Sequence, residues 1–473
     1  MRAMAAAVFP LILAIESLVP GISRAADWTE QDLATAAALR DQALAGTQAF
    51  DHVSSLVTEV GPRFAGSAGD AAAVRWAVNK LGSLGFEKVR SQDVLVPHWV
   101  RGSAEVSILS PSPQPLEAVA LGGSVGTPEE GIEAPVLAVA SLDALKALSP
   151  GAANGKIVFI DQRMPKTQDV SGYASTVGIR VQGPSIAADL GASALVIRSV
   201  GTSPDRFAHT GSLVYRTDAP RIPAFALSNP DADVLARQAQ GSKPVRLRLH
   251  STSRELPPAW SANVIGEITG TDRASEIVLL GAHLDSWDLG QGAIDDGAGV
   301  AISMAAAKLI GDLPQAPART IRVVAFANEE QGLHGGFAYA KAHSGEIARH
   351  AMMAESDFGA GRIYGFDAGN VSDGAREAVQ QIAKVLEPLG IAWMPGKGDP
   401  ESDIGPFAQQ GAAWAWLGHD GTDYFDLHHT PDDTLDKIDP KALAQNAAAY
   451  AVFTYLAAEA EGGFGSAPKP AAR

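Results

Sequence analysis

Residues 28–60 are alanine-rich with helical spacing, and Gly61-Pro62-Arg63 then turns the chain. A further helix is predicted where Val74, Ala77, Val78 and Leu81 repeat at the three-and-four spacing of one face. After Gly85 an extended run passes through Val94 and Val96. Around residues 111–115 the texture changes to Pro, Gly and short extended pieces. Residues 156–160 and 194–197 read as short buried strands, with a helix over 183–190 between them. Residues 245–250 alternate apolar and polar, the pattern of a half-exposed strand. Beyond Pro257-Pro258, branched apolar runs at 277–280 and 321–326 flank a helix from about 299 to 309. Strand–helix–strand of this kind marks a parallel sheet covered on both faces.

The expected fold is therefore α/β. A mixed, mostly parallel sheet covered by helices is assembled from residues 26–112 and 256–461, around an inserted β-rich region at 113–255. The Gly, Ala and Pro at 462–473 predict a disordered tail. At the other end, Arg2, an apolar run over 5–15 and small residues at Ser23, Ala25 and Ala26 have the layout of a cleaved export signal over 1–25. That run falls short of the roughly 20 apolar residues a bilayer span takes. The expected location is secreted or periplasmic.

Charge and composition narrow the chemistry. The 473 residues carry 53 acidic and 37 basic side chains, a net −16. That balance disfavours nucleic acid or an anionic membrane surface as partner, since both need clustered positive charge. Cysteine is absent, so disulfides, thiolate nucleophiles and iron–sulfur clusters are excluded. Any metal must be held by His, Asp or Glu.

Residues of those types gather where strands end. His283 and Asp285 stand two apart at the end of the first apolar run, on one side of an extended chain. A carboxylate there can orient the imidazole toward a metal, or the two can form a purely structural pair. Asp295-Asp296-Gly297 opens the next helix, where one aspartate can cap and the other face a crevice. Glu329-Glu330 follows the next apolar run directly, and bringing two carboxylates to a buried rim needs a compensating partner. Glu355-Ser356-Asp357 ends another short apolar stretch, and His428-His429-Thr430 lies in a polar loop. Crevices at the carboxyl ends of strands are where open α/β sheets bind ligands.

The order His, Asp, Glu-Glu, Asp, His resembles that of metallopeptidase family 28, the di-zinc aminopeptidases and carboxypeptidases. The resemblance also takes in Gly61-Pro62-Arg63, Pro97-His98-Trp99, Gly126-Thr127-Pro128, His209-Thr210-Gly211 and Glu401-Ser402-Asp403, nearly the whole chain after residue 25. It implies the zinc exopeptidase fold, with a protease-associated domain as the insertion. It implies two Zn²⁺ per chain: His283 and Asp357 on one, Glu330 and His429 on the other, and Asp295 bridging. Glu329 matches the general base and Asp285 the carboxylate behind His283; Asp296 is left as a cap and His428 without a role. Two zinc ions against three ligand carboxylates leave one positive charge, which a bridging hydroxide matches. The implied activity is hydrolysis of dipeptides or short peptides by a homodimer, through a metal-bound hydroxide and the Glu329 base. Glutaminyl cyclase-like acyl transfer, a non-peptide amidohydrolase and a metal-free receptor-like protein are the competing readings on the same fold. Arg63, Ser402-Asp403 and Tyr424 are candidate contacts to the ends of a substrate.

Overall fold

The structure is a computed structural model that describes residues 28–465; the expected signal at 1–25 and the last eight residues of the expected tail lie outside them. The alanine-rich segment forms two helices, Glu30–Ala45 and Gln48–Glu59, parted at Gly46 and Thr47. Thr29 starts the first with a reciprocal cap: its hydroxyl accepts from the Asp32 N–H while the Asp32 carboxylate takes the Thr29 N–H. The helix Ala68–Ser83 carries the predicted Ala77 and Leu81 into the core, and Ser67 caps its first turn.

The main sheet has eight strands. At its centre Arg319–Phe326, Arg273–His283, His350–Glu355 and Trp414–His419 run parallel. Antiparallel neighbours flank them, Arg254–Ile268 on one side and Ile363–Gly369 on the other. The sheet is thus mixed, as expected. All eight residues of Arg319–Phe326 are buried, which explains why that strand is rich in branched apolar residues, and its buried Arg322 is paired with Glu267. The helices Ala298–Gly311 and Pro440–Glu459 cover the sheet and are apolar nearly all round. Their many alanines let the backbones pack closely against each other and against the strands below.

A second eight-stranded sheet lies between the two parts of the first. It begins ahead of the expected boundary at 113, because Ala104–Ser110 pairs with Arg246–Ser251 and not with the main sheet. Val106 and Ile108 are buried there with Leu247 and Leu249. Nor is this region simply β-rich: Ile132–Val139, Ile157–Ile160, Ala194–Arg198 and Ala224–Leu227 run parallel, with helices such as Gly183–Asp189 and Asn229–Ala239 in the crossovers and after the last strand.

The predicted tail also starts too early. Gly462 accepts a hydrogen bond from the buried Arg319 guanidinium, and Phe464 is completely buried in the main core. One aromatic side chain in a Gly-rich stretch suffices to hold it there.

Candidate metal centre

The register of the parallel strands builds the site. His283 lies opposite Phe326, and Gly281 opposite Glu355, so the three strands finish at one level of the sheet. The polar residues after each strand therefore emerge along one edge. The Asp295-Asp296 turn is fixed there by Asp433, whose Oδ1 accepts the Ile294 N–H at 2.6 Å. The two aspartates divide their work as the sequence suggested. Asp296 caps the following helix by accepting the Gly299 N–H at 2.9 Å, and its other oxygen takes the His283 N–H at 3.1 Å. Asp295 is left to face the crevice.

Each oxygen of Asp295 meets a different imidazole. Oδ1 lies 3.0 Å from Nε2 of His283, and Oδ2 lies 3.3 Å from Nε2 of His429. Asp357 approaches the same nitrogen of His283 at 3.2 Å, and Glu330 approaches His429 at 3.0 Å. All five residues that the resemblance named thus converge. The ring tautomers agree with this arrangement. Nδ1 of His283 sits 3.0 Å from the Asp285 carbonyl, and Nδ1 of His429 sits 3.3 Å from the Thr210 carbonyl. A carbonyl only accepts, so each Nδ1 carries a proton, and in the neutral rings Nε2 is the free ligand atom.

The donor set fits metal ions. Ligand atoms of His283, Asp295 and Glu330 cluster within 4.8 Å, as do those of His283, Asp296 and Asp357, and those of Asp295, His428 and His429. Oδ2 of Asp295 and Oε1 of Glu330 are buried without a hydrogen-bond partner, an arrangement that favours a cation. Burial opposes charge on His283, yet Asp357, Asp285 and Asp295 hold its pKa well above the usual value. Burial likewise opposes charge on His429, but Glu330 and Asp295 lift it to about 9. Glu329 is pushed well above the carboxylate range by burial and by the charge of Asp357.

Asp285 differs from expectation. Its carboxylate is 3.7 Å from Nδ1 of His283, which its backbone carbonyl approaches more closely, and it accepts the Glu329 N–H at 3.0 Å. It therefore holds the residue matched to the base as well as the imidazole. Three other contacts were not legible in the sequence. Trp287 donates its indole N–H to Oε2 of Glu330 at 2.5 Å. His209 contacts the His428 carbonyl at 2.7 Å, and the Ser212 hydroxyl donates to the Glu330 carbonyl at 2.7 Å. The His209-Thr210-Gly211 motif was visible, but only folding brings it beneath the histidine loop. Arg63 is no substrate contact: it is fully buried and donates to the carbonyls of Leu284, Gln291 and Gly292. Asp403 is also buried, and accepts the Gly336 N–H. Ser402 and Tyr424 do line the cavity.

That cavity measures about 580 Å³, within the range of small-molecule sites. Asp295, Glu329, Glu330, Asp357, His428 and His429 form its floor. Tyr173 and Arg180 wall one side from the second sheet's connections, and Lys397, Glu401 and Trp416 wall another.

Comparison with known proteins gives a consistent picture. Residues 263–454 match the model of Peptidase family M28. The chain is 36% identical to Carboxypeptidase Q of Homo sapiens over 417 residues, covering 88% of this chain and 86% of that one. A peptidase M28 precursor from Shewanella amazonensis superimposes with a TM-score of 0.91 at 48% identity, covering 93% of this chain and 99% of that one. The fold is shared with a zinc aminopeptidase from Bacillus subtilis at a TM-score of 0.61 and 23% identity, covering 86% and 93% of the two chains.

Proposed function

This chain belongs to peptidase family M28 and is a metallopeptidase, and from that premise we propose that it is an exported, zinc-dependent exopeptidase that cleaves dipeptides and short peptides. The observation that carries the reading is Asp295, with one oxygen toward His283 and the other toward His429, on the floor of a cavity of peptide size. His283 and Asp357 would hold one zinc, Glu330 and His429 the other, and Asp295 both. Bound zinc supplies a water acidic enough to ionise near neutral pH and polarises the scissile carbonyl.

The protein's own groups do the rest. Glu329, anchored through its N–H to Asp285, accepts the proton of the attacking water and returns it to the departing amine. Burial and the charge of Asp357 raise its affinity for that proton, which favours the first half of the exchange. Asp285 and the Thr210 carbonyl fix the imidazoles so that Nε2 faces the metals.

The second sheet and its helices act as a protease-associated domain that roofs the cavity and restricts entry to short chains. Residues 1–25 direct export, and two chains form a homodimer. No helix among the described residues is long and apolar enough to cross a membrane. The deciding experiment is release of amino acids from a panel of dipeptides by purified protein. Activity should vanish on chelation and return with two equivalents of zinc per chain. Turnover unaffected by full metal removal would defeat the reading.

A further inference from the structure

Arg180 stands out among the cavity residues. It is only 5% exposed, lines the cavity, and has no carboxylate of the described residues within ion-pair distance. An unpaired buried charge is unfavourable unless its donors are used; Arg63, also without an ion pair, spends four of its five on carbonyls, whereas Arg180 does not. Its partners are neutral. Nε donates to the Ser212 carbonyl at 3.2 Å, Nη1 to the Thr210 carbonyl at 3.3 Å, and Nη2 to the Tyr173 hydroxyl. The Tyr173 ring also lies 5.4 Å from the guanidinium carbon. Three of the five guanidinium donors are thereby used, which leaves one N–H on each terminal nitrogen, the number a carboxylate accepts.

The position of Arg180 gives this cation a direction. Thr210 and Ser212, which hold it, also contact His429 and Glu330, so it stands on the Glu330–His429 side of the floor. Of the acidic groups of the cavity outside the metal set, Asp399 and Glu401 belong to a different wall, which Lys397 shares, and Asp169 lies in the segment leading to Tyr173. A peptide crossing the floor thus meets a buried cation at its Glu330–His429 end. We propose that Arg180 is the specificity-determining residue that binds the free carboxylate of the departing amino acid. The proposal rests on the peptidase reading above and adds to it the orientation and the required charge of the substrate.

The test compares an unblocked dipeptide, such as Ala-Phe, with its C-terminal amide on zinc-loaded wild-type, Arg180→Gln, Arg180→Lys and Lys397→Ala proteins. Wild type should prefer the free acid. Arg180→Gln should lose roughly 100-fold in kcat/KM on the acid, the scale for unpairing a buried charge, and change the amide little. Arg180→Lys should recover part of the preference. Lys397→Ala should keep it, since Lys397 is exposed at the rim. A second readout needs no turnover: calorimetric titration should show phenylalanine binding weakened by Arg180→Gln, and phenylalaninamide binding unchanged. Equal losses on acid and amide would make Arg180 a structural support for the histidine loop and overturn the proposal. So would transfer of the preference to Lys397. A wild-type protein that cleaves neither compound, although zinc-loaded, would instead defeat the peptidase reading.

Discussion

Thr210 donates its backbone N–H to the carbonyl of His429 at 3.0 Å, and its own carbonyl lies 3.3 Å from Nδ1 of the same histidine. The two residues come from different halves of the molecule, so the second sheet's connections set the orientation of an imidazole of the candidate site. His209 strengthens the link. Burial lowers its pKa to about 4, so the ring is neutral and its Nδ1–H donates to the His428 carbonyl at 2.7 Å. A Cβ on Gly201 would sit 2.3 Å from that ring, which shows how closely the loop is packed.

His209→Ala should therefore weaken zinc binding about 10- to 100-fold, the range found when a ligand's supporting partner is removed. Competition with a chromogenic chelator measures this directly. Unchanged affinity in a correctly folded variant would mean that the contact does not orient His429.

Glu329→Gln separates the proposed base from the proposed ligands. Catalysis should fall by about 10²- to 10⁴-fold, while elemental analysis still finds two metals per chain. An empty variant would identify Glu329 as a ligand and reassign Glu330. Asp295→Ala is the contrasting case: loss of the residue between the two imidazoles should abolish both metals together.

The stripped protein should lose stability as pH rises from 7 to 9. His429 is raised from 6.5 to about 9, so its contribution is full below pH 6.5 and disappears through pH 9. Glu355 is raised by burial from 4.5 to about 8, and the folded chain again binds the extra proton between those values. His209, His52, His350 and His419, all lowered to about 4, act in the opposite sense only below about pH 6.5, so the chelated protein should be more heat-stable at pH 7 than at pH 9. Metal binding requires neutral imidazole and ionised carboxylate, so zinc should stabilise more as pH rises. Calorimetric scans with and without chelator across that window test both signs. A gap between loaded and stripped protein that narrows with pH would contradict the protonation states assigned here.

Much of this was legible from the chain. The runs rich in branched apolar residues at 277–280 and 321–326 identify strands buried on both faces, and the carboxylates following them locate the edge where a site forms. The Asp295-Asp296 pair even divided into cap and crevice residue as its position suggested. Arg63 misleads, because a buried arginine serving four carbonyls looks the same in sequence as one serving a substrate. The boundary at 113 and the tail at 462 were missed for a related reason: Pro and Gly mark turns, but not which sheet a strand joins or whether Phe464 finds a pocket.

The sequence by itself determined residue types, their order and the side of each strand they occupy, because those follow from local periodicity and from what His, Asp and Glu can bind. Tertiary structure alone decided which oxygen meets which imidazole, that Thr210 sets the tautomer of His429, and that Arg180 stands in the cavity without a counter-ion. Those relationships join residues tens to hundreds of positions apart. They depend on strand register and on packing between two sheets, which no local pattern encodes.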